Sequence, residues 1–304
     1  MVKSIKNIMR ERGTNSNLLH QLTESELAQL HKTLLGMLVD VMNACKELNL
    51  ELTLIGGSVL GAIRHQGFIP WDDDLDIGMT RKDWEVFKKN FKILLGDKYA
   101  LEAPNYDNKD TKQLLSKIYL KDSEWVMLEE MNFPFHNCIY IDVFIIDSVS
   151  DNGVVRAFDA FVANILRAGA ISLQEFKYPS PILKEAMMTK LSTKVYYYIR
   201  QFVGFCFSVV SHKSLCDFFD IFVSRHHGRT HNSTVATGLK KYKAETLGNE
   251  IWFPFSKGIF NGIEVNLPHN PDNYLTYIYG DYMQLPPVEK RETHPVVRFR
   301  FPNS

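Results

Sequence analysis

Four carboxylates lie within residues 72–76 of this chain. Asp74 and Asp76 alternate with aliphatic residues, which is the period of a half-buried β-strand. Residues two positions apart on a strand share a face and lie about 6.6 Å apart along it. Two carboxylates on one face repel each other, and a divalent cation that prefers hard oxygen ligands would relieve the conflict. The pattern therefore predicts a Mg²⁺ or Mn²⁺ site formed by Asp74 and Asp76, with Asp72 as an additional candidate ligand.

A calcium loop and a solvated acidic turn fit the acidic cluster less well. Asp72, Asp74 and Asp76 match the first three ligand positions of an EF-hand calcium loop, but Ile77 stands where that loop requires glycine. A solvated acidic turn would not need the interleaved Trp71, Leu75 and Ile77, which are large apolar residues. The sequence therefore favours a metal site on a buried strand.

A third carboxylate lies in the most apolar strand candidate of the chain, residues 139–147. Asp142 is flanked there by Ile141 and Val143, and a buried aspartate is rare unless it is paired or bound to a metal. We expect Asp142 on a strand beside Asp74 and Asp76. Asp147, at the end of the same run, is predicted to cap a turn.

A glycine turn precedes the acidic cluster. Residues 52–55 read as a short buried strand, Gly56-Gly57-Ser58 follows, and an amphipathic helix continues through Arg64. A strand, a glycine turn and a helix start together gather backbone N–H groups that suit phosphate oxygens. Ser58 could cap the helix or contact a phosphate, and Arg64 could add a charge-assisted contact.

Gly-Gly-Ser followed by Asp-x-Asp resembles the active-site signature of the nucleotidyltransferase superfamily that includes DNA polymerase β. The longer run from Gly56 to Met79 resembles the LicD family, which are cholinephosphotransferases of bacterial surface glycans related to fukutin-related protein. The segments 139–144 and 279–287 match in type as well. The resemblance is dense over residues 54–147, returns near the C-terminus and is thin over residues 151–235.

The resemblance implies a function. Asp74, Asp76 and Asp142 would be the catalytic and metal-binding carboxylates, and Gly56, Gly57, Ser58, Arg64 and Lys117 would bind nucleotide phosphates. For Lys117, an ordinary exposed lysine is the competing interpretation. The donor would be CDP-choline or a related CDP ester, and the acceptor a hydroxyl of a surface glycan, lipopolysaccharide or teichoic acid among them, or of its lipid-linked precursor. The family chemistry moves phosphocholine and releases CMP.

Two alternatives remain open at this point. The protein could transfer another alditol or sugar phosphate, such as ribitol or glycerol phosphate, or it could be a noncatalytic nucleotide-binding protein of the same fold. Intact Asp74, Asp76 and Asp142 argue against the noncatalytic alternative, because an idle site has no reason to keep like charges together.

The elements that position these residues predict an α+β fold with a helix-rich C-terminal portion, and the resemblance implies that its core is a nucleotidyltransferase-like mixed sheet flanked by helices. We expect a catalytic core with an N-terminal helix over residues 1–150, and helices, a hairpin and a tail that pack on it over residues 151–304. Capped helices are predicted from Glu24 to about Leu48 and over residues 81–95. Further helices are predicted over 154–174, 182–210 and 273–279, an acidic turn or helix around 129–130, and an Asn-Gly hairpin around 260–263.

Three features beyond the core bear on the site. The aromatic run 202–210 is too short to span a bilayer, and its length favours a buried core helix over contact with a membrane interface. His226, His227 and His231 are predicted to lie in a solvated loop. Tyr277, Tyr279 and Tyr282 could pack in the core or border a pocket, where such rings would attract a quaternary ammonium. By resemblance, Arg291 and His294 would reach the site.

Composition narrows the class of protein. Lys plus Arg equals Asp plus Glu at 35 each among 304 residues, so no global basic field holds the chain on nucleic acid. The four cysteines show no metal or disulfide spacing, which favours reduced thiols and a cytoplasmic location, at the inner face of the membrane if the protein contacts one. Residues 1–20 are basic and polar, and they predict no signal peptide.

Overall fold

A computed structural model describes residues 20–106, 113–128, 132, 137–228, 230–288, 291, 293–294 and 296–302. The predicted basic N-terminal segment, apart from residue 20, and the predicted acidic turn at 129–130 lie outside the described residues. The helices are α1 Glu24–Glu47, α2 Gly56–His65, α3 Arg81–Leu94, α4 Gly153–Lys177, α5 Pro181–Met187, α6 Leu191–Phe207, α7 His212–Val223, α8 Lys241–Ala244, α9 Asn249–Trp252 and α10 Pro271–Tyr279. The strands are β1 Leu52–Leu54, β2 Asp76–Thr80, β3 Tyr99–Glu102, β4 Ser116–Leu120, β5 Glu124–Met127, β6 Tyr140–Ser148, β7 Asn232–Thr234, β8 Thr246–Gly248, β9 Ser256–Phe260, β10 Ile263–Leu267 and β11 Val296–Arg300.

The central sheet is mixed, and the α+β prediction is confirmed. Its strand order is β1-β2-β6-β4-β3, and β7 pairs antiparallel with the end of β6 and with β8. Strands β2 and β6 run parallel, while β1 with β2, β6 with β4 and β4 with β3 run antiparallel. Strand β6 is central and nine residues long, and most of it is buried, as its apolar sequence predicts.

Helix α1 begins and packs as its sequence indicates. Thr23 Oγ1 accepts a hydrogen bond from the Glu26 backbone N–H, and Glu26 accepts one from the Thr23 N–H at 2.7 Å, which completes the capping box. The helix buries Leu30, Leu34 and Leu38 in the core formed with the sheet. Thr80 likewise caps α3, as predicted.

The C-terminal hairpin closes over the segment that leads to the acidic cluster. Strands β9 and β10 pair around Asn261-Gly262, as predicted. Asn266 donates to the carbonyl of Leu52 at 2.8 Å, which fixes β10 beside β1. The side chain of Asn261 accepts the Phe68 N–H at 2.9 Å and so holds the loop before the aspartates. The division into two parts at residue 150 stays a prediction, although β7 and β8 extend the sheet of the first part.

Two helix predictions need correction. The predicted helix 182–210 is broken into α5 and α6 around residues 188–190. The run 202–210, predicted to be buried, is largely exposed: Phe202 is 65% exposed, Phe205 61% and Val209 88%. A narrow stripe of α6, which includes Tyr197 and Gly204, is buried. Helix α7 has no counterpart among the predicted elements.

The predictions for Asp147 and for one of the three loop histidines need correction, while His227 and His231 are exposed in loops as predicted. Asp147 lies within β6 and is buried, where it accepts two hydrogen bonds from Arg81, at 2.7 and 2.9 Å. It therefore anchors α3 to the sheet and does not cap a turn. His226 is not simply solvated, because its ring pairs at 2.6 Å with Asp159, which is fully buried in α4 and also paired with Arg225.

Candidate functional site

A cleft of about 630 Å³ opens where the acidic cluster, α2, α10 and the C-terminal tail meet, a volume typical of small-molecule sites. Its lining includes seven of the residues predicted from sequence for the site: Gly56, Gly57, Arg64, Asp72, Asp74, Asp76 and Asp142. Ser58 and Lys117 do not line it but contact residues that do. The predicted site residues therefore converge on one region of the molecule.

Asp76 and Asp142 are brought together by strand pairing. The two are register partners on the parallel strands β2 and β6, and Lys117 on β4 is the register partner of Asp142 from the other side. The three side chains thus stand in one row across adjacent strands. Asp74 lies two residues before β2, not within a strand as predicted, yet it still lines the cleft.

Lys117 is buried, so the alternative of an ordinary exposed lysine is wrong. Its Nζ lies 2.8 Å from Asp142 Oδ1 and 3.5 Å from the centroid of the Tyr140 ring. The ammonium compensates one carboxylate of the cluster and is held over an aromatic face. A direct contact of Lys117 with phosphate stays a prediction.

The glycine turn shapes the space beside the carboxylates. Gly56 has φ +56°, and a Cβ added to it would lie 3.0 Å from Asp76 Oδ2. A Cβ on Gly57 would lie 3.2 Å from Asp72 Oδ2. Glycine is therefore required at Gly56 both for its backbone conformation and for the space in front of the carboxylate.

The first turn of α2 differs in detail from the predicted phosphate cradle. The Gly56 N–H donates a hydrogen bond to the hydroxyl of Tyr274 at 2.9 Å, and the Ser58 N–H donates one to the carbonyl of Ile55. The N-cap is Ile55, so Ser58 does not cap the helix. Ser58 Oγ instead accepts the backbone N–H of Asp76 at 2.8 Å and so positions that carboxylate.

Arg64 is held at the cleft by the segment after α10. Its Nη1 donates to the carbonyl of Tyr282 at 2.6 Å, and its Nε donates to His65 at 3.0 Å. The guanidinium thus lines the cleft with a fixed orientation, and a contact with phosphate stays a prediction.

The carboxylates affect one another's protonation. Burial raises the pKa of Asp76 well above its ordinary value, and the negative charges of Asp74, Asp142 and Asp72 raise it further. The pKa of Asp72 is raised in the same way, by burial, by the charges of Asp74 and Asp73 and by a hydrogen bond shared with Asp74. The cluster therefore holds more negative charge than its surroundings stabilise.

A hard cation suits this donor set. The carboxylate oxygens are of the type that Mg²⁺ and Mn²⁺ prefer, and the missing Cβ atoms of Gly56 and Gly57 leave space beside Asp76 and Asp72. Within the described part of the chain, no three His, Cys, Asp or Glu side chains already converge as a complete ligand set. Asp74, Asp76 and Asp142, with Asp72, are the residues that would hold such an ion.

The C-terminal tail reaches the cluster, as the resemblance implied. His294 donates its backbone N–H to Asp73 Oδ2 at 2.8 Å, its ring Nδ1 lies 2.6 Å from Asp73 Oδ1, and its side chain lines the cleft. The Arg291 guanidinium stacks on the Trp71 ring at 4.0 Å. The tail therefore ties the acidic loop to the end of the chain.

Of the three tyrosines considered from sequence, Tyr279 and Tyr282 line the cleft and Tyr277 is exposed outside it. Burial and the nearby negative charges raise the pKa of Tyr279 well above its ordinary value, so its hydroxyl stays protonated. Three further residues that line the cleft have no short motif around them and were not predicted: Tyr274, Arg167 and Glu245. His31 was not predicted either, and its ring lies 2.7 Å from the Asp72 carbonyl without lining the cleft.

A family model described as "LicD/FKTN/FKRP, nucleotidyltransferase domain" matches residues 49–155. The chain is 24% identical over 254 residues to the lipopolysaccharide cholinephosphotransferase LicD of Haemophilus influenzae, which covers 83% of this chain and 89% of that protein. Uncharacterized proteins of Rickettsia typhi and Rickettsia prowazekii are 34% identical over 64 residues and 54% identical over 35 residues. Those matches cover 21% and 12% of this chain and 19% and 13% of the relatives.

Proposed function

From the match of residues 49–155 to the LicD family model, we propose that this protein transfers phosphocholine from CDP-choline to a hydroxyl of a surface glycan or its lipid-linked precursor. Transferase chemistry of the LicD type is supported by the relative that matches most of the chain. The observation that carries the proposal is the row of Asp76, Asp142 and Lys117 beside the glycine turn in one cleft.

In this reaction the acceptor oxygen forms a bond to the distal phosphorus of the CDP ester. The bond between that phosphorus and the bridging oxygen breaks, and CMP leaves with the electron pair. Asp72, which lines the same cleft and lies outside the set Asp74, Asp76 and Asp142, would take the proton of the attacking hydroxyl. Arg64, which lines the same cleft, would orient the diphosphate.

A divalent ion, when bound by Asp74, Asp76 and Asp142, would neutralise the diphosphate and the charge that develops on the departing CMP. Ser58 would keep Asp76 in place through its hydrogen bond to the backbone N–H. Lys117 would hold Asp142. Ser58 and Lys117 position the carboxylates and need not touch substrate.

The aromatic lining supports choline as the head group. Tyr274, Tyr279 and Tyr282 border the cleft, and tyrosine faces attract a quaternary ammonium. The face of Trp71 is already covered by Arg291. We therefore expect the ammonium to lie against the tyrosines of α10 and of the segment that follows it.

The test is CMP release by the purified protein with Mg²⁺ and CDP-choline, CDP-ribitol or CDP-glycerol, with and without glycan acceptor extracts. We expect CMP with CDP-choline and acceptor, and loss of at least about 100-fold in Asp76→Asn and in the presence of a chelator. Asp97→Asn, which changes an exposed carboxylate after α3, is the matched control and should retain full activity.

Three alternative outcomes would identify a different function. CMP from CDP-ribitol or CDP-glycerol alone would replace choline with an alditol phosphate. Pyrophosphate released from CTP would indicate a conventional nucleotidyltransferase. Metal-dependent nucleotide binding without turnover of any donor would mean that the fold serves binding alone.

A further inference from the structure

Helix α6 has an apolar outer surface. Its inner side buries Thr193, Tyr197 and Gly204 against the rest of the protein. Its outer side exposes a continuous stripe, which we call the α6 stripe and which continues past the helix end: Val195, Ile199, Phe202, Phe205 and Val209. These positions recur at helical spacing, so they lie along one side of the helix.

Helix α4, which packs against α6, also has a row of exposed apolar side chains. Helix α4 packs on α6 where Gly204 meets Ser172, and it exposes Val154, Phe158, Phe161 and Ile165 at spacings of four, three and four residues. Scattered exposed apolar residues are ordinary, but a row of aromatic and aliphatic side chains along each of two packed helices is typical of an interaction surface.

The segment that leads into the start of α6 is basic. Residues 177–194 contain four lysines, all exposed, at 177, 184, 190 and 194, against the single acid Glu185, while the whole chain is electrically neutral. Exposed Tyr196 and Tyr198 lie between these lysines and the phenylalanines. Amphipathic tyrosines between an apolar face and a basic rim are typical of helices that lie in a membrane interface.

We propose that the α6 stripe and its lysine rim bind the surface of a bilayer that contains anionic lipid. The apolar side chains would enter the boundary between headgroups and acyl chains, and the lysines would contact lipid phosphates. A second copy of this chain is the alternative occupant, and it would give a dimer that forms without lipid.

The surface lies on the membrane and does not cross it. In the part of the chain that is described, no single helix has the length and hydropathy of a membrane span. Helices α6 and α7 reach that length and composition only as a pair, bent by 89°. The buried inner stripe of α6 also needs the protein packing that it has, which favours attachment by one face.

The test is flotation of the full chain with vesicles of phosphatidylcholine alone and of phosphatidylcholine mixed with phosphatidylglycerol. We expect the wild type to float with the mixed vesicles and much less with phosphatidylcholine. Phe202→Ser with Phe205→Ser should lower the bound fraction at least about tenfold. Lys190→Gln with Lys194→Gln should lower the affinity for the anionic vesicles about tenfold. The matched control is Ile93→Ser on α3, which is 84% exposed and lies on another helix, and it should float like the wild type.

The proposal is overturned if the wild type floats with neither vesicle, or if the double serine variant floats unchanged. A concentration-dependent dimer that the double serine variant abolishes, measured by light scattering without lipid, would assign the surface to a second copy instead. Circular dichroism of each variant verifies that it is folded. Asp76→Asn should float like the wild type. Vesicle binding and catalysis are therefore tested separately, and failure of one proposal would leave the other standing.

Discussion

Asp142 stands between a carboxylate and an ammonium on neighbouring strands, and this arrangement explains how a partly buried acidic cluster can exist in the folded chain. Lys117 balances one negative charge at 2.8 Å, while Asp72, Asp74 and Asp76 share a cleft with raised pKa values at Asp72 and Asp76. Breaking a buried ion pair usually costs about 3–5 kcal/mol, since the remaining charge is stranded. One lysine is thus essential to the row, and the remaining negative charge is what a divalent ion would balance.

Gly56→Ala should inactivate the proposed transferase while the fold persists. The φ of +56° costs alanine about 1 kcal/mol, and the new methyl group would lie 3.0 Å from Asp76 Oδ2. We expect CMP release to fall about 100-fold, because small displacements of a catalytic group have effects of that size. Gly36→Ala in α1, where no atom lies within 4 Å of the added methyl group, should keep full activity and unfold at slightly higher urea concentration. Equal activity of Gly56→Ala and wild type would remove Gly56 from the site.

Asp76→Asn should stabilise the metal-free protein at pH 7. The pKa of Asp76 is higher in the folded than in the unfolded state, so the folded state binds more protons between the two values. The contribution of Asp76 to the free energy of unfolding is therefore greatest below pH 4 and is lost as the pH rises. We expect the variant to exceed the wild type by on the order of 1 kcal/mol at pH 7 in chelator, and the difference to shrink toward pH 4. Urea unfolding at pH 7, 6, 5 and 4 measures it, with Asp97→Asn as control. A difference that is constant with pH would contradict the assignment.

At the residue scale, the sequence predicts charges better than it predicts their partners. Asp76 and Asp142 could be selected because acids inside apolar runs are rare. Asp74 was selected from a strand spacing that the structure does not show, because it precedes β2. Tyr274, which accepts the Gly56 N–H from a position 218 residues later, carries no local signal. The role of Ser58 was missed for the same reason, since its acceptor function depends on how β2 passes α2.

At the element scale, the predictions from helix-capping and turn residues were confirmed. The capping box of α1, the Thr80 cap of α3 and the Asn-Gly turn between β9 and β10 are all found as predicted. Burial was predicted less well, because hydrophobicity alone does not tell which side of a helix meets protein. The apolar run 202–210 illustrates this, since its phenylalanines face outward while small Gly204 faces inward.

Gly204→Ala should separate α6 from α4. A methyl group at this position would clash with the carbonyl oxygen of Ser172 and would lie 2.6 Å from Phe176 Cβ, so the two helices would have to move apart. We expect a loss of about 1–3 kcal/mol in the free energy of unfolding, the usual cost of overpacking. Gly153→Ala, with no atom within 4 Å of the added methyl group, is the control at the start of α4. Unchanged urea unfolding of Gly204→Ala would contradict the close approach of α4 and α6.

At the scale of the whole molecule, the cleft draws on distant parts of the chain. Residues from α2, the acidic loop, β6, α4, α10 and the tail all line it, and His294 is bound to Asp73 across 221 positions. The sequence indicated this assembly only through the resemblance, which is dense over residues 54–147 and returns near the C-terminus. Since ligand would contact several of these parts at once, binding should stabilise the fold as a unit.

CDP-choline with Mg²⁺ should therefore raise the unfolding temperature of the wild type by several degrees. Ligand that binds only the folded state adds about 2.7 kcal/mol at a concentration one hundred times Kd. We expect the shift to vanish in chelator and in Asp76→Asn, and CMP with Mg²⁺ to give a smaller one, because it lacks the second phosphate and the head group. Differential scanning calorimetry of both proteins, with metal alone as the reference, measures these terms separately. A shift with CDP-choline that persists unchanged in chelator would mean that the nucleotide binds without the carboxylate-held ion. Asp74, Asp76 and Asp142 would then have a role in nucleotide binding that does not depend on a metal ion.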